Sequence, residues 1–410
     1  VGLPDLIEIV PLPAPVKAEV TVPGSKSITN RALVLAALAH GTVTLEGALW
    51  SEDTQVMVEC LHTLGFKVEV QPDPNEFCNR TITVEGKGGL IPKSGTVEKP
   101  LELFVGNAGT AARFLAALVC LGQGVYRLSG VPRMHERPQA SLFEALRQLG
   151  YRIDSANNKL PAVIHSSGPK AGSCAVSVDE SSQFASALIL SGTIGQWQLQ
   201  INGANHEELP YVEMTRQLVK TFPKNGGVFE IEPDASSGSY FWAADTAVAH
   251  WPQSGWQIDG EFPKLLPLPA EVSRESDLGD SIMTAIVLAP FLSAPVKFTE
   301  LGRLRVQECE RVVALRTELT KCGAKVIEEG DALTVYPSQL HGAEIETYND
   351  HRMAMCFAVV GLRVPGIKLR NPSCVKKTFP NFFQKLAKDL GVTILDAHGK
   401  ELGHEDLFAA

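Results

Sequence analysis

Apolar and polar positions recur along this chain in one repeated phrase. An apolar helix rich in small residues gives way to a Gly or Pro break and a strand. A second helix follows, ends in Gly, and leads into another strand. The first copy runs from Arg31-Ala32-Leu33 through His40-Gly41 and Val43-Thr44-Leu45 to Leu64-Gly65-Phe66-Lys67-Val68. The second runs from Thr110 through Leu121-Gly122 and Tyr126-Arg127-Leu128 to Leu149-Gly150-Tyr151. The third starts at Ser182-Gln183-Phe184 and ends near Thr221, and a shortened fourth begins around Ser239-Tyr240-Phe241. The fifth runs from Ser281-Ile282-Met283 to Cys322-Gly323-Ala324, and the sixth from Arg352-Met353-Ala354 to Leu390-Gly391-Val392. Reuse of one α/β unit at this scale is a stronger organising signal than any single helix. Each Gly after a helix suits a left-handed cap. Added strands at Thr81 to Glu85 and Ala332 to Tyr336 leave open whether the sheets are wholly parallel.

The polar residues gather at the starts of the first helix of each copy. These starts are Ser25-Lys26-Ser27, Gly106-Asn107-Ala108-Gly109-Thr110, Glu180-Ser181-Ser182-Gln183, Asp234-Ala235-Ser236-Ser237, Gly279-Asp280-Ser281 and Asn349-Asp350-His351-Arg352. Capping accounts for Ser and Asp there. It does not account for Lys26, Arg113 or Arg352, which are expected in first turns, where the helix dipole already carries positive charge. A bound anion needing both the free amides and the cations resolves the conflict. If the first helix starts near Ser27, Arg31 lies on the same face and reaches the same ligand. Ser25 stands where the common nucleotide loop needs Gly.

Length and composition narrow the field. The 410 residues suit two or more domains, and 44% hydrophobic with 20% charged residues is ordinary for a globular protein. A net charge of −9 argues against a nucleic-acid or acidic-membrane surface, so cations for an anionic ligand must be collected locally. No apolar run is long enough to span a bilayer, and the first residues lack a signal-peptide layout. The 8 cysteines form no CxxC pair and read as reduced thiols; the 10 histidines show no HxxxH spacing, and no metal site is expected.

Other stretches carry possible chemistry. Pro132 to Pro138 reads as a basic loop between a strand and a helix, and Lys376-Lys377 as a basic turn before another. Asp280 and Glu308 are a possible acid–base pair, since a carboxylate beside arginines stays ionised while a more buried one can donate. Taken singly, each of these also reads as an ordinary cap, turn or ion-pair partner.

Taken in order, these motifs resemble the 5-enolpyruvylshikimate-3-phosphate synthase family from about Ala18 to Ile394. The motifs are Pro23-Gly24-Ser25-Lys26-Ser27 with Asn30-Arg31, Gly106 to Thr110 with Arg113, Pro132-Arg133-Met134 with Glu136-Arg137-Pro138, and Ser181-Ser182-Gln183. They continue with Pro210-Tyr211, Asp234 to Ser237, Asp280, Arg305-Val306 with Glu308 and Arg311, Tyr348 to Ala354, and Lys377-Thr378-Phe379-Pro380. The resemblance implies an α/β, two-domain enolpyruvyl transferase fold, each domain of three βαβαββ units with pseudo-threefold symmetry. One domain would comprise 1–22 and 244–410 and the other 23–243, with crossovers near Pro23 and Ala243. It implies that the domains close on shikimate 3-phosphate and phosphoenolpyruvate without metal or cofactor.

By the same resemblance, Lys26, Ser27, Arg31, Ser181, Ser182, Gln183 and Asp280 hold shikimate 3-phosphate, with Arg303 and Gln307 on the same side. Lys26, Gly109, Arg137, Gln183, Arg311, Arg352 and Lys377 hold phosphoenolpyruvate. Asp280 is the base and Glu308, with Lys26, the proton donor. Some positions depart from the family pattern. Gln307 stands where Lys is usual before the Glu, Arg303 where Asn is usual, and Glu208 where Ser is usual before Pro210-Tyr211. Phe114 stands where Pro is often found after the Arg, bordering the family's glyphosate site. Arg303 is a candidate to replace the lost lysine charge, and weaker binding of shikimate 3-phosphate is the expectation. The related UDP-N-acetylglucosamine enolpyruvyl transferases carry a reactive Cys where this chain has Pro132. A paralogue with another phosphorylated acceptor, or a non-catalytic anion-binding protein, are the other readings. A cytoplasmic monomer acting on small molecules, with no nucleic-acid or membrane partner, is expected.

Overall fold

The structure is a computed structural model and describes residues 2–203 and 209–410. Glu208, one of the departures above, lies outside the described residues. The chain divides into two compact units, Gly24–Glu232 and Val1–Pro23 with Pro233–Ala410. The second crossover is therefore not near Ala243. That residue ends the helix Ala235–Ala243, whose N-cap Asp234 accepts from the Ser237 N–H at 2.8 Å. Pro233 and this cap start a helix that belongs wholly to the second unit, so the boundary stands before it. The first boundary is tightly built. Gly24 donates to Asn79 Oδ1 at 2.8 Å, and a Cβ at Gly24 would lie 1.9 Å from the Gly47 carbonyl oxygen, so no other residue fits.

Four sheets share one plan. In the first, Thr42–Leu49 pairs parallel with Gly227–Glu230 and antiparallel with Asn79–Glu85, which pairs antiparallel with Val68–Pro72. The same order, one parallel pair and then two antiparallel strands, is built on Gln123–Ser129, on Val296–Thr299 and on Ile367–Arg370. Among the described residues the third and fourth copies hold only parallel pairs. These are Gly172–Ser177 with Trp197–Asn202, and Glu19–Val20 with Ala247–Val248. Six units of the α/β plan are present, four of them with a full four-stranded sheet among the described residues. Gly227–Glu230, which follows the third copy, supplies the parallel edge of the first sheet, and the fourth continues into the 3-10 segment Ile258–Leu265, which contains Pro263.

Helices sort by pattern into inner and outer positions. Lys26–Leu38, Gly109–Leu118 and Ser182–Gly195 are apolar or small nearly all round and are buried on all faces. Outer helices such as Ala140–Gln148 and Phe382–Leu390 are amphipathic and bury one face. In the first unit the inner helices meet at matching depth. Arg31 donates to Ser186 Oγ at 3.1 Å, and its guanidinium lies 5.3 Å from the Phe114 ring. In the second unit the inner helices are Ala235–Ala243, Ile282–Leu288 and His351–Gly361. Ser239 and Thr284 share a hydrogen bond of 2.8 Å, and Thr284 meets Cys356 at 4.0 Å. Gln183 meets Thr110 in the first unit and Arg352 meets both Ser236 and Asp280 in the second, so helix starts gather at one end of each unit and add their dipoles.

Candidate active-site residues

In the first unit the gathered starts carry Lys26, Gly109, Ser181, Ser182 and Gln183. Ser25 caps the first helix, accepting from the Ile28 N–H at 3.3 Å, so Lys26 is its first residue. The ammonium is held 3.3 Å from Asp53, a carboxylate only 4% exposed. Asp53 opens the following helix and looked like an ordinary first-turn acid; nothing in the local pattern marks it as the partner of Lys26. Arg31 donates to the Ser27 carbonyl at 2.9 Å and to Thr215 Oγ1 at 2.7 Å, besides Ser186. Its guanidinium thus fastens its own helix to Ser182–Gly195 and Leu209–Thr221.

Gln183 sits where two helix starts touch. Its carbonyl accepts from Arg113 at 2.9 Å, and its amide donates to Thr110 Oγ1 at 3.2 Å. Arg113 is a full turn inside Gly109–Leu118, not in its first turn, and its other nitrogen donates to the Pro138 carbonyl. Residues Pro132–Glu136, expected as a loop, form a short helix because Pro132 is suited to a first helical position. Arg133 spends its charge on Glu136 at the surface, whereas Arg137 is buried and donates to the Asn107 carbonyl at 2.9 Å. Gly109 faces both guanidinium groups. A Cβ there would lie 2.4 Å from Arg113 Nη1 and 2.6 Å from Arg137 Nη2. Ser181 caps its helix, accepting from the Gln183 N–H at 3.2 Å.

In the second unit, buried arginines and carboxylates interlock. Arg311, 1% exposed, donates from Nε to Asp350 Oδ2 at 2.6 Å and from Nη2 to Asp350 Oδ1 at 3.1 Å. The same guanidinium lies 2.8 Å from Glu308 and 3.8 Å from Asp280. Lys377 is 3.0 Å from the other Glu308 oxygen, while Lys376 beside it faces solvent. Arg352 donates to Ser236 Oγ at 2.7 Å and forms an ion pair with Asp280 at 3.6 Å. Asp280 is also held by Arg274 at 2.9 Å and by the Gln307 amide at 3.3 Å. Gln307 in turn accepts from Arg311. Burial pushes the Asp280 carboxyl up, but Arg352, Arg274 and Arg311 overrule it and hold it far below the usual carboxylate range. Nearby, buried Asp259 accepts from the Ser281 N–H at 2.9 Å; burial pushes its carboxyl up.

Most of the expected residues therefore fall into two charge clusters, one in each unit. Arg303 is buried on the 3-10 turn Gly302–Val306. The cation found against Asp280 beside Gln307 is Arg274, which sequence reasoning missed, as it missed Asp53. Arg274 directly follows the strand Glu271–Ser273 in a turn, where an arginine carries no periodic signal. Among the described residues no group of three or more His, Cys, Asp or Glu could hold a metal ion, and no helix is long and apolar enough to cross a membrane.

The family model described as EPSP synthase (3-phosphoshikimate 1-carboxyvinyltransferase) matches residues 10–225 and 268–386. The chain is 38% identical to the 3-phosphoshikimate 1-carboxyvinyltransferase of Trichormus variabilis, over 94% of this chain and 100% of that one. It is 36% identical to the same-named protein of Pseudomonas syringae pv. tomato, over 95% of this chain and 98% of that one. Among solved structures, the EPSP synthase of Acinetobacter baumannii aligns at a TM-score of 0.72 and 21% identity, covering 95% of this chain and 100% of that one. The enolpyruvyl transferase NikO from Streptomyces tendae aligns at 0.68 and 16%, covering 95% and 98%. These structural neighbours share the fold. The family model and the full-length relatives establish that this chain belongs to the EPSP synthase family.

Proposed function

We propose that this chain transfers the enolpyruvyl group of phosphoenolpyruvate to the 5-hydroxyl of shikimate 3-phosphate. The observation that carries the reading is that Asp280 and Glu308 are both held on one buried guanidinium, Arg311. Addition–elimination needs one proton acceptor and one donor, and it needs cations for two anionic substrates. Asp280 takes the proton of the 5-hydroxyl as that oxygen bonds to C2 of phosphoenolpyruvate. Glu308, assisted by Lys26, delivers a proton to C3, which becomes a methyl group. In the second half the methyl carbon returns a proton, the bond from C2 to the phosphate oxygen breaks, and phosphate leaves behind an enol ether.

Lys26, Ser27, Arg31, Ser181, Ser182 and Gln183, with Arg303 and Gln307, serve the acceptor in this scheme. Gly109, Arg137, Arg311, Arg352 and Lys377 serve phosphoenolpyruvate, and Lys26 and Gln183 serve both. Arg31 contributes less by direct contact than by tying helices together, since its donors go to Ser27, Thr215 and Ser186. The reading includes a cytoplasmic monomer that uses no cofactor; sedimentation tests the monomer.

The deciding experiment is phosphate release from phosphoenolpyruvate with shikimate 3-phosphate, run beside other phosphorylated alcohols. No release with any acceptor would sink the enzyme reading. Release only with another acceptor would make the chain a divergent enolpyruvyl transferase, a reading favoured by the unusual surroundings of Asp280, namely Arg274 and Gln307.

A further inference from the structure

We propose that Arg274 is a positioning residue for the reaction above, fixing the Asp280 carboxylate and supplying the local positive charge that Gln307 cannot. The inference rests on the proposed function. Asp280 Oδ1 receives two donors, Arg274 Nη2 at 2.9 Å and Gln307 Nε2 at 3.3 Å. Gln307 is an amide used from both ends. Its nitrogen donates to Asp280 and its oxygen accepts from Arg311. An ammonium at position 307 could make only the first of these bonds, and it would face Arg311 as a like charge. With a neutral residue at 307, the charge on that side of Asp280 comes from Arg274, which is 1% exposed and so little screened.

The charged groups facing Asp280 are Arg274, Arg311 and Arg352, with Asp259 on the 3-10 segment opposing them. Arg311 and Arg352 are the cations assigned to phosphoenolpyruvate. Once they serve an anionic substrate, they hold Asp280 less firmly. Arg274 has no such assignment, so it remains the cation that keeps Asp280 ionised and aimed in the complex. Charge at 307 and charge at 274 are then alternatives. One of them is needed, and both together crowd Arg311. On this proposal Gln307 by itself gives no reason for weak acceptor binding.

The test is a swap, read with phosphoenolpyruvate and shikimate 3-phosphate as kcat, KM and the pH profile of kcat. Arg274→Gln is expected to lower kcat about 10- to 100-fold through a misplaced base. Losing a cation raises the carboxyl's proton affinity, so the acid limb should move to higher pH, by about 1–3 units. Arg274→Lys should retain most of the activity. Gln307→Lys should impair the wild-type background yet restore Arg274→Gln. A folded Arg274→Gln with unchanged kcat and acid limb, or no restoration in the double variant, would overturn the proposal. If Arg274→Gln does not fold, Gln307→Lys alone decides, because activity equal to or above wild type refutes it. A wild type inert with both substrates is a failure of the functional reading itself. An active wild type indifferent to the swap sinks only the role of Arg274.

Discussion

Replacing Asp350 with Ala removes the carboxylate that does most in the second unit. Asp350 is 0% exposed. It takes two hydrogen bonds from Arg311, at 2.6 and 3.1 Å, and one from the Arg352 N–H at 3.0 Å as N-cap of His351–Gly361. The Cys309 thiol also donates to it at 3.3 Å. Breaking a buried ion pair from one side costs about 3–5 kcal/mol because the other charge is left uncompensated. A lost cap adds about 1 kcal/mol. Glu308 at 2.8 Å and Asp280 at 3.8 Å still compensate Arg311 in part, which places the pair near its low end and the total at about 4 kcal/mol. Asp350→Asn keeps an acceptor for the Arg352 N–H and should cost less, about 1–2 kcal/mol. Urea unfolding followed by circular dichroism measures both. The loss is read as a lower unfolding midpoint. A loss under about 1 kcal/mol for Asp350→Ala, with an unchanged m-value, would refute the claim that this pair holds the helix start.

Lys26→Ala should abolish turnover, by about 10³-fold or more, while circular dichroism remains native; full activity would count against the whole assignment. Gly109→Ala drives a methyl into Arg113 and Arg137. It should raise KM for phosphoenolpyruvate about tenfold and leave KM for the acceptor nearly unchanged, as steady-state kinetics will show. The thiols should resist iodoacetamide at neutral pH until the protein unfolds. Cys60 and Cys356 are each pushed up to about 12, chiefly by burial, and burial beside Asp350 holds Cys309 above the usual range. Labelling faster than unfolding would contradict this.

Elements set by local periodicity were legible in the sequence. The helix-Gly-strand phrase located the inner helices, and Gly391, read as a left-handed cap, stands at φ 72° after Phe382–Leu390. Helix starts were legible because Ser25, Ser181 and Asp234 are the residue types that cap. Tertiary partners were not legible. Asp53 meets Lys26, and Arg274 meets Asp280, by packing, and neither pair shares a helical spacing that periodicity could reveal. Sheet partners across copies were not legible either: Gly227–Glu230, after the third copy, pairs with Thr42–Leu49 of the first. Arg113 was misplaced by a turn because Gly106 to Thr110 read as a glycine-rich turn preceding the helix, whereas the helix already begins at Gly109.

A chain of net charge −9 that must hold anions cannot leave its cations buried and bare, since an unpaired buried charge costs several kcal/mol. The second unit answers by pairing four of them with three shared carboxylates: Arg311 with Asp350 and Glu308, Lys377 with Glu308, and Arg274 and Arg352 with Asp280. An anionic substrate that engages Arg311 and Lys377 must then compete with Glu308 for them. A carboxylate that loses cations gains proton affinity, and the proposed reaction asks Glu308 to carry a proton. Asp350 is held in place by its two bonds to Arg311 and its cap to the next helix. In the proposed scheme Asp280 keeps Arg274 and serves as the base. On this reading substrate binding itself sorts the carboxylates into acid and base. The difference lies in which cations each retains, and that is why the position of a single arginine beside Asp280 bears on the chemistry.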